Sequence, residues 1–209
     1  MSDYREPLQE LSEIRSLMES STRFVSLSGL SGVAAGIVAL LGAGWTYHYL
    51  RSERILRELI PRRVFMASME QYYTLVGMAL VILVTALAAA AFFTVRNTRR
   101  QGKSVWTRAS QRLLINLLIP LVAGGLFCLQ LAWYGFSGMV PGATLIFYGL
   151  ALLNAGKYTL REIRFLGLSE VALGLVATWV LEYSIIFWAV GFGLLHIVYG
   201  LIMYQKYER

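Results

Sequence analysis

The chain is 209 residues long and 57% hydrophobic, with a formal net charge of +7, two histidines and one cysteine. A lone Cys128 excludes a disulfide framework, and together with His48 and His196 it gives too few of the usual ligands for a zinc or iron–sulfur centre. The basic residues cluster at the ends of apolar runs, the pattern of loops retained at a membrane surface rather than of nucleic-acid binding.

In chain order, residues 1–22 predict a short amphipathic helix. Pro7 suits its first turn, and Leu8, Leu11, Ile14, Leu17 and Met18 recur at helical spacing, with Glu6, Glu10 and Glu13 on the other side. Six apolar runs follow, near 24–46, 71–95, 113–134, 138–156, 164–181 and 185–204, each about the roughly 20 residues that a helix needs to cross the hydrocarbon core. The first run carries Gly29, Gly32 and Gly36 at a spacing that lets backbones approach closely, either between two copies of the chain or within one.

Between the first two runs stand Arg51, Arg54, Arg57, Arg62 and Arg63. Residues 50–60 read as a surface helix, with Leu50, Ile55, Leu56, Leu59 and Ile60 towards lipid and the arginines on anionic headgroups or an acidic partner. The second connection is more basic still, with Arg96, Arg99, Arg100, Lys103, Arg108 and Arg112. Pro120 and Gly124-Gly125 mark a kink in the third run. Turns fall near Gly135 and at Glu182-Tyr183-Ser184.

This predicts an all-α fold: a polytopic bundle of six transmembrane helices in three hairpins, residues 23–209, with the cytoplasmic segment 1–22 ahead of it. With both termini in the cytoplasm, most basic residues fall inside, and Trp45, Tyr47, Tyr49, Tyr72, Tyr73, Trp133, Tyr134, Trp179, Tyr183 and Trp188 form a belt at the outer interface.

Ionisable residues within a span cost about 2.5–3.5 kcal/mol each on insertion, which makes them functional candidates. Glu170 and His196 lie equally far from Tyr183 in opposite directions, hence at one depth across the last hairpin. Gly167, Glu170, Gly174 and Ala177 share one helix face; Ala189, Gly193, His196 and Gly200 share another. The pair is either a clamp holding the hairpin or a proton-sensitive or ligand-binding site. Asn116 and Asn154 match in depth across the preceding hairpin, Lys157 follows, and Ser28 and Ser31 enter from the same side; these outline a polar pocket open to the cytoplasm, or cap helix ends.

No Walker loop, His-Glu-x-x-His or G-x-S-x-G pattern occurs, so no cofactor and no metal is expected. Three stretches, Glu19-Ser-Ser-Thr-Arg-Phe-Val-Ser-Leu-Ser-Gly-Leu-Ser-Gly32, Arg112-Leu-Leu-Ile-Asn-Leu-Leu-Ile-Pro120 and Phe187-Trp-Ala-Val-Gly-Phe-Gly-Leu-Leu-His-Ile-Val-Tyr-Gly200, together resemble a family of bacterial integral membrane proteins with no assigned function. That resemblance implies a six-helix inner-membrane protein and brings no catalytic residues. Three functions compete: a scaffold, assembly or sensing protein with partners at its cytoplasmic face, a proton-coupled transporter or channel using Glu170 and His196, and a lipid-modifying enzyme.

Overall fold

The computed structural model describes residues 27–52 and 69–209. Among the described residues there are helices and turns and no strand. The helices are α1 (Gly29–Ser52), α2 (Met69–Arg100), α3 (Arg108–Trp133), α4 (Val140–Ala155), α5 (Arg161–Trp179), α6 (Ser184–Trp188) and α7 (His196–Tyr207). A π-helical segment, Ala189–Leu195, joins α6 to α7 without a break. Among the described residues five stretches are long and apolar enough to cross a membrane: Gly29–Arg51, Gln71–Arg100, Arg108–Trp133, Ser137–Tyr158 and Leu181–Tyr207. α5 is not among them, because Arg161, Glu162, Arg164 and Glu170 crowd a short helix.

Local chemistry sets the helix ends. Thr107 caps α3 in a reciprocal box with Ser110, and a proline occupies the first turn of α4. Gly135, at φ +83°, closes α3 with its N–H on Ala132 O, while the Phe136 N–H reaches Leu131 O. α3 runs unbroken through Pro120.

Two boundaries differ from the sequence reading. α1 continues to Ser52, so Leu50 lies in its last turn and is 5% exposed. The expectation that Leu50 faces lipid on a separate helix is therefore corrected: it packs into the protein. Exposed Arg51 lies in the last turn of α1, whereas Arg54, Arg57, Arg62, Arg63 and segment 1–22 lie outside the described residues. α2 likewise extends to Arg100, which puts Arg96, Arg99 and Arg100 on a helix rather than in a loop.

Two glycine seams hold the bundle together. Along the first, α1 runs against the π segment and α7: a Cβ on Gly36 would lie 2.7 Å from Gly193 O, and one on Gly200 2.7 Å from Gly29 O. Along the second, α4 runs against α5: a Cβ on Gly149 would lie 2.6 Å from Gly167 O, and one on Gly174 2.8 Å from Gly142 O. Such distances leave room for hydrogen only, so backbone packs on backbone. Gly29, Gly32 and Gly36 thus make a close approach inside the chain, against the π segment and α7, which is the second of the two alternatives their spacing left open. Leu152, Leu160, Ile163, Leu166 and Met203 form an apolar cluster between α4, α5 and α7.

α2 and α3 are attached from outside. Gly42 of α1 receives Ile82 of α2, and Gly124 of α3 receives Phe147 of α4. α2 and α3 meet each other chiefly where Tyr72 lies edge-on to Trp133, 5.6 Å between centroids. Their remaining faces are uncovered and apolar; Val84 and Ile119 are each 63% exposed.

The seams generate a contrast that thermal unfolding in detergent will check. Gly149→Leu, which places side-chain carbons in backbone, is expected to lower stability by about 1–3 kcal/mol or more. Gly125→Ala, with nothing within 4 Å of the added carbon, is expected to be neutral or mildly stabilising because alanine favours helix.

Candidate functional site

Glu170 belongs to the buried face of α5, together with Gly167, Gly174 and Ala177. That face turns inward because its small residues form the seam with α4, and the carboxyl is carried in with them. His196 opens α7 immediately after the π segment. Its Nδ1 lies 3.4 Å from Glu170 Oε1. The two residues thus meet, at the junction of both seams.

The histidine's hydrogen bonds fix its tautomer. Nδ1 is 3.0 Å from Gly191 O, and a carbonyl only accepts, so Nδ1 carries a hydrogen. Nε2 is 2.8 Å from the Tyr148 hydroxyl, which donates to it in the neutral imidazole. Tyr148 comes from α4, so the polar cluster spans α4, α5 and α7. Above it Phe192 lies 5.8 Å from the His196 ring and 4.8 Å from Tyr148, and Trp188 continues the ladder at 5.0 Å from Phe192.

Glu170 is different. It is 0% exposed, and neither carboxyl oxygen has a hydrogen-bond partner among the described residues. The carboxyl rests on Gly191, where any side chain would collide with it and with Leu145. Leaving a buried polar group unsatisfied costs about 1–3 kcal/mol. Packing alone does not ask for an acid here; the arrangement can clamp three helices, or take up and release a proton next to an imidazole.

The other candidate residues form two groups. Asn154 donates to Asn116 O at 3.0 Å, Asn116 donates to Arg112 O at 2.8 Å, and exposed Lys157 reaches Asn154 Oδ1 at 3.4 Å, tying the end of α4 to α3. Ser31 donates to Ser28 O at 2.5 Å, and Ser28 donates to Glu208 Oε2 at 3.2 Å. The Gly29 N–H also donates to Glu208, so a carboxylate caps the start of α1, where helix N–H groups need acceptors. Cys128 is buried and free, and His48 is exposed near the end of α1. No three His, Cys, Asp or Glu among the described residues gather as a metal site would require.

Sequence reasoning missed Tyr148, Glu208 and the ion pair of Lys206 Nζ with Glu162 Oε1 at 2.7 Å, supported by the Tyr207 hydroxyl at 3.2 Å. A signal for Tyr148 existed: a tyrosine in the middle of an apolar run needs a partner for its hydroxyl. Comparison with family models, curated proteins and solved structures found no match.

Tyr148→Phe, which strips His196 of a donor, is expected to cost about 1 kcal/mol. Glu170→Met, which replaces an unsatisfied acid by an apolar side chain of similar size, is expected to leave stability unchanged or raise it. Chemical denaturation of both variants in one detergent will rank them.

Glu162, ahead of the fifth apolar run, gives a pH dependence. Burial by itself pushes its carboxyl up, but hydrogen bonds and charge from Lys206, with help from Tyr207, hold it below the ordinary value of 4.5. Because the folded pKa is the lower one, the stabilisation is complete above 4.5 and is lost as pH falls through the depressed value. Lys206→Met is expected to lower stability at neutral pH and to leave it nearly unchanged at the acid end, which flattens the acid limb of a stability–pH curve.

Proposed function

We propose that the protein is a multi-pass protein of the bacterial inner membrane, with six crossings in three hairpins and both ends in the cytoplasm, that acts as a scaffold, assembly or sensing component. The observation that carries this reading is the enclosure of its polar centre: Glu170 is 0% and His196 6% exposed, behind seams that admit no side chain. A solute-conducting protein needs a route to such a group. The long uncovered faces of α2 and α3 meanwhile offer surface for lipid and for partner helices. The orientation is supported by the exposed Arg96, Arg99, Arg100, Arg161 and Arg164 and by the aromatic residues at the opposite helix ends.

A second reading, proton-coupled transport, is favoured by one observation: the oxygens of Glu170 make no hydrogen bond among the described residues. A clamp would be built with those oxygens satisfied; a proton-exchanging carboxyl need not be.

Proteoliposomes loaded with a pH-sensitive dye separate the two. The scaffold reading expects wild type to leak protons no faster than empty vesicles under an imposed pH gradient, with or without Glu170→Gln. A flux in wild type that disappears in Glu170→Gln would replace it with transport.

A further inference from the structure

Seven residues of α2 fall three and four apart, Ala88, Ala91, Phe92, Val95, Arg96, Arg99 and Arg100, and so line one helix face. The structure forms an open, shallow groove along them. All but half-buried Val95 are exposed. The face is sorted by chemistry along the helix: Ala88, Ala91 and Phe92 lie towards one end of it and Arg96, Arg99 and Arg100 towards the other. Arg96, Arg99 and Arg100 make no ion pair among the described residues.

We infer that this stripe binds one anionic phospholipid, with the phosphate on Arg96, Arg99 and Arg100 and an acyl chain along Ala88, Ala91 and Phe92. Charge argues for the occupant. Guanidinium forks match phosphate oxygens in a bidentate geometry, and three of them favour a headgroup whose negative charge no choline offsets. Dimensions argue for it as well. Ala88 to Arg99 spans roughly 16 Å at 1.5 Å per residue, about half of a hydrocarbon core of roughly 30 Å, which is the depth of a single leaflet. A soluble anion would use the arginines and leave the apolar end of the groove empty; a neutral lipid would use that end and leave the arginines unpaired. The inference holds whichever way the chain is oriented, and does not depend on the scaffold reading.

The full-length protein, exchanged in micelles containing equal phosphatidylglycerol and phosphatidylcholine, would be analysed by native mass spectrometry for retained lipid. Near-surface attraction of about 1 kcal/mol per arginine predicts roughly ten-fold or greater preference for phosphatidylglycerol. The combined Arg96→Gln, Arg99→Gln and Arg100→Gln variant is expected to lose most of that preference. Ala91→Trp, which fills the groove and leaves the charge intact, is expected to lose retention too, whereas Arg161→Gln with Arg164→Gln, basic residues of another helix, is expected to change it less than about two-fold. Unfolding curves establish that each variant is folded. Equal retention of both lipids, an Arg161/Arg164 effect as large as that of the α2 arginines, or displacement of the lipid by millimolar inorganic phosphate would overturn the proposal. A photo-crosslinker at Phe92 in native membranes tests the occupant directly. A lipid adduct supports it; an adduct to residues 1–26, to a second copy or to another protein sinks it.

Discussion

Everything distinctive in this bundle depends on backbone meeting backbone at glycine. The α1–α7 seam and the α4–α5 seam bring helix axes together more closely than side chains allow, and the polar cluster lies where the two seams adjoin. Were either seam held apart by methyl groups, Tyr148, Glu170 and His196 would part, since a hydrogen bond tolerates only a few tenths of an ångström. In lipid, where burial of apolar surface does not drive helices together, such van der Waals contact is a main source of association. The same closeness excludes a side chain at Gly191 and leaves the Glu170 carboxyl enclosed.

Much of this was legible in the sequence, and the reason is periodicity. Glycine and alanine three or four residues apart mark a packed face, and Glu170 and His196 each lie on one. Counting from the turn at Tyr183 placed them at equal depth, and they are 3.4 Å apart. What periodicity leaves out is the partner. The faces of Glu170 and His196 looked like two sides of one hairpin, but Gly167 and Gly174 pack on α4 while Gly193 and Gly200 pack on α1. A small-residue stripe says that something comes close, not which helix does. Tyr148 was overlooked for a related reason: its value depends on a neighbour three helices away in the chain. The π-helical winding of Ala189–Leu195 has no signature in residue type at all.

The bundle divides into an interior with no slack and a periphery with little attachment. α1, α4, α5 and the final helix share glycine contacts and a satisfied histidine, apart from one acid. α2 leans chiefly on α1 and α3 chiefly on α4, they touch each other through Tyr72 and Trp133, and both leave most of their surface uncovered. Stability and exchange of contacts are therefore carried by different parts of the chain. An interior that does not yield can keep a site at fixed geometry; a periphery held on one side can admit lipid or another helix without disturbing it.

The π-helical segment has a consequence for how the gene can change. It sets the last helix in two phases, one facing the aromatic end and one presenting His196 and Gly200 to their partners. An ordinary α-helix turns by about 100° per residue and the wider π winding by roughly 80–90°, so the π segment covers about the angle of an α-helix one residue shorter. Removing a single residue between Ala189 and Leu195 would restore ordinary winding and leave His196 and Gly200 close to their present phase. Removing one between His196 and Gly200, where the winding is already α, would swing Gly200 away from Gly29. Loss of one residue is thus tolerable in the π stretch, as it is in the connection between α2 and α3, exposed over most of its length, and intolerable between His196 and Gly200.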